Sequence, residues 1–295
     1  MDLGFLHHAE CYLAELLAIQ GDVRPLISIS IDSAHTAPYL LDQLLALSAL
    51  HRATLDQAMA PVYYQQATEL QTRALTVFNK AKADLSESNH LTSFLFATLL
   101  GVHVLADTVA NHHHALDAFV SAFVSYARLH RGVRAVTNRY WKEILQSDLK
   151  PLLYIIDWIN KADEVERGTD TVGMREFLVS ASALSSSCLD ACLSALTWVQ
   201  WVLDMIKMEP TRFDLAVHAT MAWPLVISDA YIDALYQHQP EALAVLAYYA
   251  AVLHRCRDFW VFKNSGSILV NFIVRHIGPF WTKAMTWPLS QISEV

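Results

Sequence analysis

The sequence predicts an all-α fold, and three observations carry that prediction. Glycine and proline are sparse, 8 and 9 in 295 residues. Apolar residues recur at three- and four-residue spacing over long stretches. Pro38, Pro61, Pro151, Pro224 and Pro240 each stand where a first helical turn would begin, a position that tolerates proline because the N–H there has no helical acceptor. With 54% apolar and only 17% charged residues, several helices are expected to be enclosed on all sides within a single large multi-helix domain, 1–295.

In chain order, helices are expected at 2–19 and, after an extended connection, at 38–58, where Pro38 opens the first turn. The connection includes Leu26 to Ile31, in which Ile27, Ile29 and Ile31 alternate with serines. It looks like a strand, but it is short and has no partner run nearby. Pro61 opens 61–84; helices at 89–108, 113–131 and 138–146 follow, then 149–161 with Pro151 in its first turn. The most polar stretch, Asn160 to Asp170, marks a surface loop and the place for a seam between two halves, near 160–171. Beyond it come 172–208, 211–221, 224–237 opened by Pro224, 240–257 opened by Pro240, and 264–277, with short turns to the end.

The balance of 21 basic against 29 acidic residues gives a formal charge of −8, the wrong sign for a phosphate-binding surface, so direct nucleic-acid binding is not expected. The start Met1-Asp2-Leu3-Gly4-Phe5 lacks the basic and long apolar regions of an export signal. Cys11, Cys188, Cys192 and Cys256 show no repeated C-x-x-C spacing, which suits a reduced intracellular protein, cytoplasmic or nuclear. Cys188 and Cys192, one helical turn apart, read as small core residues. Ser88 to Ala106 is free of charged residues and long enough to cross a bilayer, but Asn89, His90, Thr92, Ser93, Thr98 and His103 interrupt it. A buried core helix is expected there rather than a transmembrane segment.

Motifs of self-sufficient chemistry are missing: no G-x-S-x-G, H-E-x-x-H, Walker loop or dinucleotide fingerprint is present. His112-His113-His114-Ala115-Leu116-Asp117 contains H-H-x-x-x-D, a pattern of acyl-transferring condensation enzymes, but Ala118 follows where those have glycine. A polar loop entering a helix, or metal binding by the histidine run, accounts for it as well. Asp229 and Asp233 lie on one helical face, and a single such pair cannot hold a cluster of magnesium ions. No cofactor and no metal site are expected.

Several segments form an ordered series of distinctive blocks. They are Leu41-Asp42-Gln43-Leu44-Leu45-Ala46-Leu47-Ser48-Ala49-Leu50-His51, Tyr63-Tyr64 leading to Gln71-Thr72-Arg73-Ala74-Leu75, and Leu129-His130-Arg131-Gly132-Val133-Arg134-Ala135-Val136. The strongest part is C-terminal: Pro240-Glu241-Ala242-Leu243-Ala244-Val245-Leu246-Ala247-Tyr248-Tyr249-Ala250, Leu253-His254-Arg255, Trp281 and Trp287-Pro288-Leu289. In this order they resemble the effector domain of fungal zinc-cluster transcription regulators, most closely the sterol-uptake-control branch, and the resemblance implies an all-α fold and, as in the sterol-sensing members, a deep apolar ligand pocket. The cysteine cluster that holds zinc ahead of this region in those regulators has no counterpart here; either the sequence is a truncated piece or the DNA-reading output is lost, and loss is the expectation.

Phe94, Phe96, His103, Trp198, Trp201, Met205, Trp223, Tyr248, Tyr249 and Trp260 fall on helices expected to be central. Any one of them is a core side chain by default. Together they could bind a rigid hydrophobic molecule oriented by buried donors such as His103, Ser187 or Tyr249. Two functions fit. A cofactor-free cyclase or pericyclase for a terpenoid or polyketide of secondary metabolism would fold its substrate on Phe94, Phe96, Trp198, Trp201, Met205, Trp223, Tyr248 and Trp260, with His103, Tyr249 or Ser187 donating to a polarised carbonyl. A sterol-like ligand-sensing effector would instead switch between two helical packings and act through a DNA-binding partner. The apolar segment from Trp260 to Trp287 could contribute to a homodimer interface.

Overall fold

The structure, a computed structural model, describes residues 2–81, 90–111, 115–137, 141–150, 153, 167–181 and 186–293. Among them are fourteen α-helices and no strand, an all-α fold. The chain gathers into two compact units, one of 1–105 with 129–154, the other of 106–128 with 155–295.

The first unit is organised around α3 (Pro38–Leu55), which packs against α1 (Asp2–Leu16), α2 (Arg24–Asp32) and α4 (Ala60–Ala81). Every residue from Gln43 to His51 is buried, so α3 is enclosed all round and its sequence shows little amphipathic contrast. α4 is the opposite case: Tyr63, Ala67, Leu70, Ala74 and Phe78 form one buried stripe, and the other face is polar. Tyr39, Phe78 and Phe96 interlock, with ring centroids 4.4 to 5.2 Å apart. Phe96 lies on α5 (His90–Asn111), whose residues up to Leu105 belong to this unit, as do the end of α6 (Leu116–Thr137) and α7 (Trp141–Leu145).

The strand-like pattern at 26–31 is corrected by α2. Its buried residues are Leu26, Ile27 and Ser30, a helical face, while Ile31 is exposed. Ser30 Oγ donates to the Leu26 carbonyl at 2.7 Å and Ser33 Oγ to that of Ile29 at 2.6 Å. Serines that mark the solvent side of a strand in the sequence are satisfied inside the helix instead.

The second unit is built on α12 (Pro240–Arg255), buried at every position from Ala242 to His254. It packs against α9 (Ser186–Met208), α11 (Asp229–Tyr236), α13 (Ser265–Ile277) and α14 (Thr286–Ser293). α8 (Val172–Ala181) and α10 (Phe213–Val226) also pack against α9. Of the helix expected at 172–208, residues 182–185 lie outside the described residues, as do most of 149–161 and of the polar stretch from Asn160. α14 forms where only short turns were expected.

Pro224 does not open a helix. It sits in the last turn of α10, and α11 starts instead at Ser228, whose Oγ accepts from Tyr231 N at 3.2 Å. Ser228 supplies a side-chain cap, which proline cannot do. Inside α10, Pro224 leaves the Thr220 carbonyl without its usual N–H donor.

Among the described residues two helices, His90–Asn111 and Ser187–Met208, are long and apolar enough to cross a membrane, and 72% and 61% of those windows are buried within the protein.

Candidate functional site

Each aromatic and polar residue singled out above has a definite place. In the second unit, Trp223 stacks on Tyr249 with centroids 4.1 Å apart, meets Tyr231 edge-on at 5.7 Å, and donates from Nε1 to the Ala195 carbonyl at 3.0 Å. The Tyr249 hydroxyl donates to the Thr220 carbonyl at 3.1 Å, the acceptor that Pro224 leaves free. Burial pushes that hydroxyl well above its ordinary pKa. Tyr249 is therefore a committed core donor rather than one waiting for a substrate carbonyl. Tyr248 is likewise spent: its hydroxyl donates to the Ala284 carbonyl at 3.0 Å, and its ring stacks on Trp287. Trp260 is buried beside Phe259. Ser187 is exposed in the first turn of α9, not buried as a pocket donor would be.

α9 carries a different arrangement. Trp198, Trp201 and Met205 follow helical spacing along one side, with the Trp198 and Trp201 rings edge to face at 5.8 Å. Trp201 and Met205 are buried and Trp198 half-buried. The Trp201 indole N–H is buried and finds no acceptor among the described residues. On the neighbouring side, Gln200 and Asp204 hold the 168–171 segment: Gly168 N donates to Asp204 at 3.1 Å, and Thr171 N to Gln200 Oε1 at 2.9 Å. The α9 backbone is thus pinned one turn from the unpartnered indole.

His103, the third expected donor, belongs to the first unit. It accepts from Gln43 Nε2 at 3.3 Å, and Gln43 Oε1 finds no donor among the described residues. Phe96 is part of the ring cluster described above, and half-buried Phe94 faces Trp141 edge-on at 6.0 Å. A groove of about 410 Å³ on this unit runs along α4 past Thr68, Thr72 and Thr76. Those hydroxyls are bonded to carbonyls one turn back, which turns their methyl groups outward, and the groove is an open depression rather than an enclosed cavity.

The chain matches no known family model, and no curated protein or solved structure is significantly similar to it. Among the described residues no group of three or more histidine, cysteine or carboxylate side chains converges as metal ligands would; His112, His113 and His114 lie outside the described residues.

Burial holds the imidazoles of His103 and His130 down at about 4, against an ordinary 6.5. The unfolded chain takes up protons that the folded chain refuses, so this stability is complete above pH 6.5 and drains as the pH falls towards 4. For His103 alone it amounts to about 3 kcal/mol, at about 1.4 kcal/mol per pH unit. Urea midpoints are expected to fall between about pH 7 and pH 5, and His103→Gln, which keeps a partner for Gln43, is expected to flatten that fall.

Proposed function

We propose that the chain is a helical binding domain for a hydrophobic small molecule that carries a hydrogen-bond acceptor, with the Trp198–Trp201–Met205 side of α9 as its contact surface. The observation that carries this reading is the buried Trp201 N–H without an acceptor. Leaving such a donor unpaired costs about 1 to 3 kcal/mol, which a ligand hydroxyl or carbonyl would relieve. A rigid, sterol-like molecule with one polar end fits that demand, and it agrees with the effector role implied by the resemblance to fungal zinc-cluster regulators. The cyclase reading has less support: Tyr249 is hydrogen-bonded inside the core and Ser187 is exposed.

Trp201→Phe is the test, because it keeps the ring and removes the donor. Without ligand, the variant is expected to gain roughly 1 kcal/mol in urea unfolding, since a buried orphan is gone. Its affinity for ergosterol, read by tryptophan quenching or calorimetry, is expected to fall about tenfold. Equal affinity in both proteins, or no sterol binding by either, overturns the assignment. Incubating the protein with far more terpenoid than protein and finding an isomer of equal mass by LC-MS would instead identify a cofactor-free cyclase.

A further inference from the structure

The first unit contains a side-chain array that the binding site does not use. His8 of α1 and His51 of α3 meet through Nε2 and Nδ1 at 3.0 Å, and both residues are buried. His51 Nε2 lies 3.8 Å from Glu15 Oε1 of α1, and Tyr12 stacks on the His8 ring at 4.6 Å. The nearby Glu15 carboxylate favours the tautomer with the His51 proton on Nε2, and in that tautomer Nδ1 accepts and His8 Nε2 donates. One hydrogen bond then joins α1 to α3, with the Glu15 carboxylate at ion-pair distance from the far nitrogen of His51.

We propose that the His8–His51 contact is an acid-operated latch, which fastens α1 to α3 while both rings are neutral and releases α1 as the rings take up protons. Two imidazolium rings at hydrogen-bond distance repel and have no lone pair to share. The charged surroundings also disfavour a buried cation. Arg52 of α3 lies over the Phe5 and Tyr63 rings and donates to the Tyr63 hydroxyl of α4, and His7 is adjacent on α1. Burial first, then Arg52 and His7, hold His8 at about 4. Glu15 opposes them beside His51; Glu10 lies towards His7, and Arg24 of α2 is bound to Asp22. Asp32 ends α2, and Asp2 and Cys11 are exposed on α1. A released α1 would titrate near the ordinary value of 6.5, so falling pH favours release by about tenfold per unit for each proton taken up. Release uncovers Phe5, Leu13 and Leu16, which are now almost fully buried.

Amide hydrogen exchange of residues 5–16, corrected for the intrinsic rate and compared with α12 in the same protein, tests the latch. Protection of α1 is expected to drop at least about tenfold between pH 6.5 and pH 5 while α12 holds. In His8→Phe/His51→Leu, which keeps apolar packing and cannot titrate, α1 protection is expected to stay level. A wild-type α1 that keeps its protection, or loses it only together with α12, overturns the proposal, and so does a double variant with the wild-type response. Ring-nitrogen NMR of the unsubstituted protein supplies an independent reading: both rings must be neutral at about pH 7 and share one proton, and either ring charged there overturns the latch.

Discussion

Gly266→Ala is expected to destabilise the protein by about 3 kcal/mol or more, seen as a lower urea midpoint with unchanged slope. A Cβ at Gly266 would come closer than 3.0 Å to the Ala250 carbonyl oxygen and to the nitrogen and Cα of His254. These are backbone atoms of α12, and no rotamer change can move them aside. α12 cannot retreat either, because each residue from Ala242 to His254 is packed against a neighbour on some side. The missing side chain is what lets α13 approach α12 backbone to backbone, and the approach buries Leu269, Val270 and Ile273. Gly173 is the control. A Cβ there meets nothing within 4 Å, so Gly173→Ala is expected to be neutral or to stabilise by up to about 1 kcal/mol.

The helices most legible in the sequence are those whose burial is written in their own residues. The apolar run through Gln43–His51 and the small and apolar run of Ala242–Leu253 each define a central helix without outside information. α2 was not legible, because serine pairs as well with a helical carbonyl as with the solvent beside a strand, and only its burial decides. Pro224 was misplaced because a proline is equally at home in a first turn and wherever a freed carbonyl finds another donor; here the donor comes from Tyr249, 29 residues from Thr220. The same fact hid the role of Tyr249. His8 and His51 are 43 residues apart, and no spacing rule brings them together. Trp201 was legible as an aromatic on a central helix, but an unpaired N–H is a property of its surroundings and not of its own identity.

Trp223→Ala is expected to cost about 4 kcal/mol, the largest effect of a single truncation in the second unit. Trp223 is fully buried, and its ring fills the space between Tyr249, Tyr231 and Phe123. Removing it opens a cavity that α10 and α12 cannot close, and it leaves the Tyr249 ring unstacked. Tyr249→Phe probes the same cluster from the other side. Pro224 has no N–H to offer, so the loss of the hydroxyl leaves the Thr220 carbonyl with one donor fewer, at a cost of about 1 to 3 kcal/mol. The two substitutions share a contact and are expected to be non-additive by about 1 kcal/mol, which a double-mutant cycle in urea measures. The stability cost of Tyr249→Phe also separates a structural from a catalytic hydroxyl. A donor reserved for a substrate carbonyl can be removed with little loss of stability while turnover collapses, whereas a hydroxyl satisfying Thr220 is missed as soon as the chain folds. A Tyr249→Phe protein as stable as the wild type would return Tyr249 to the list of candidate catalytic groups.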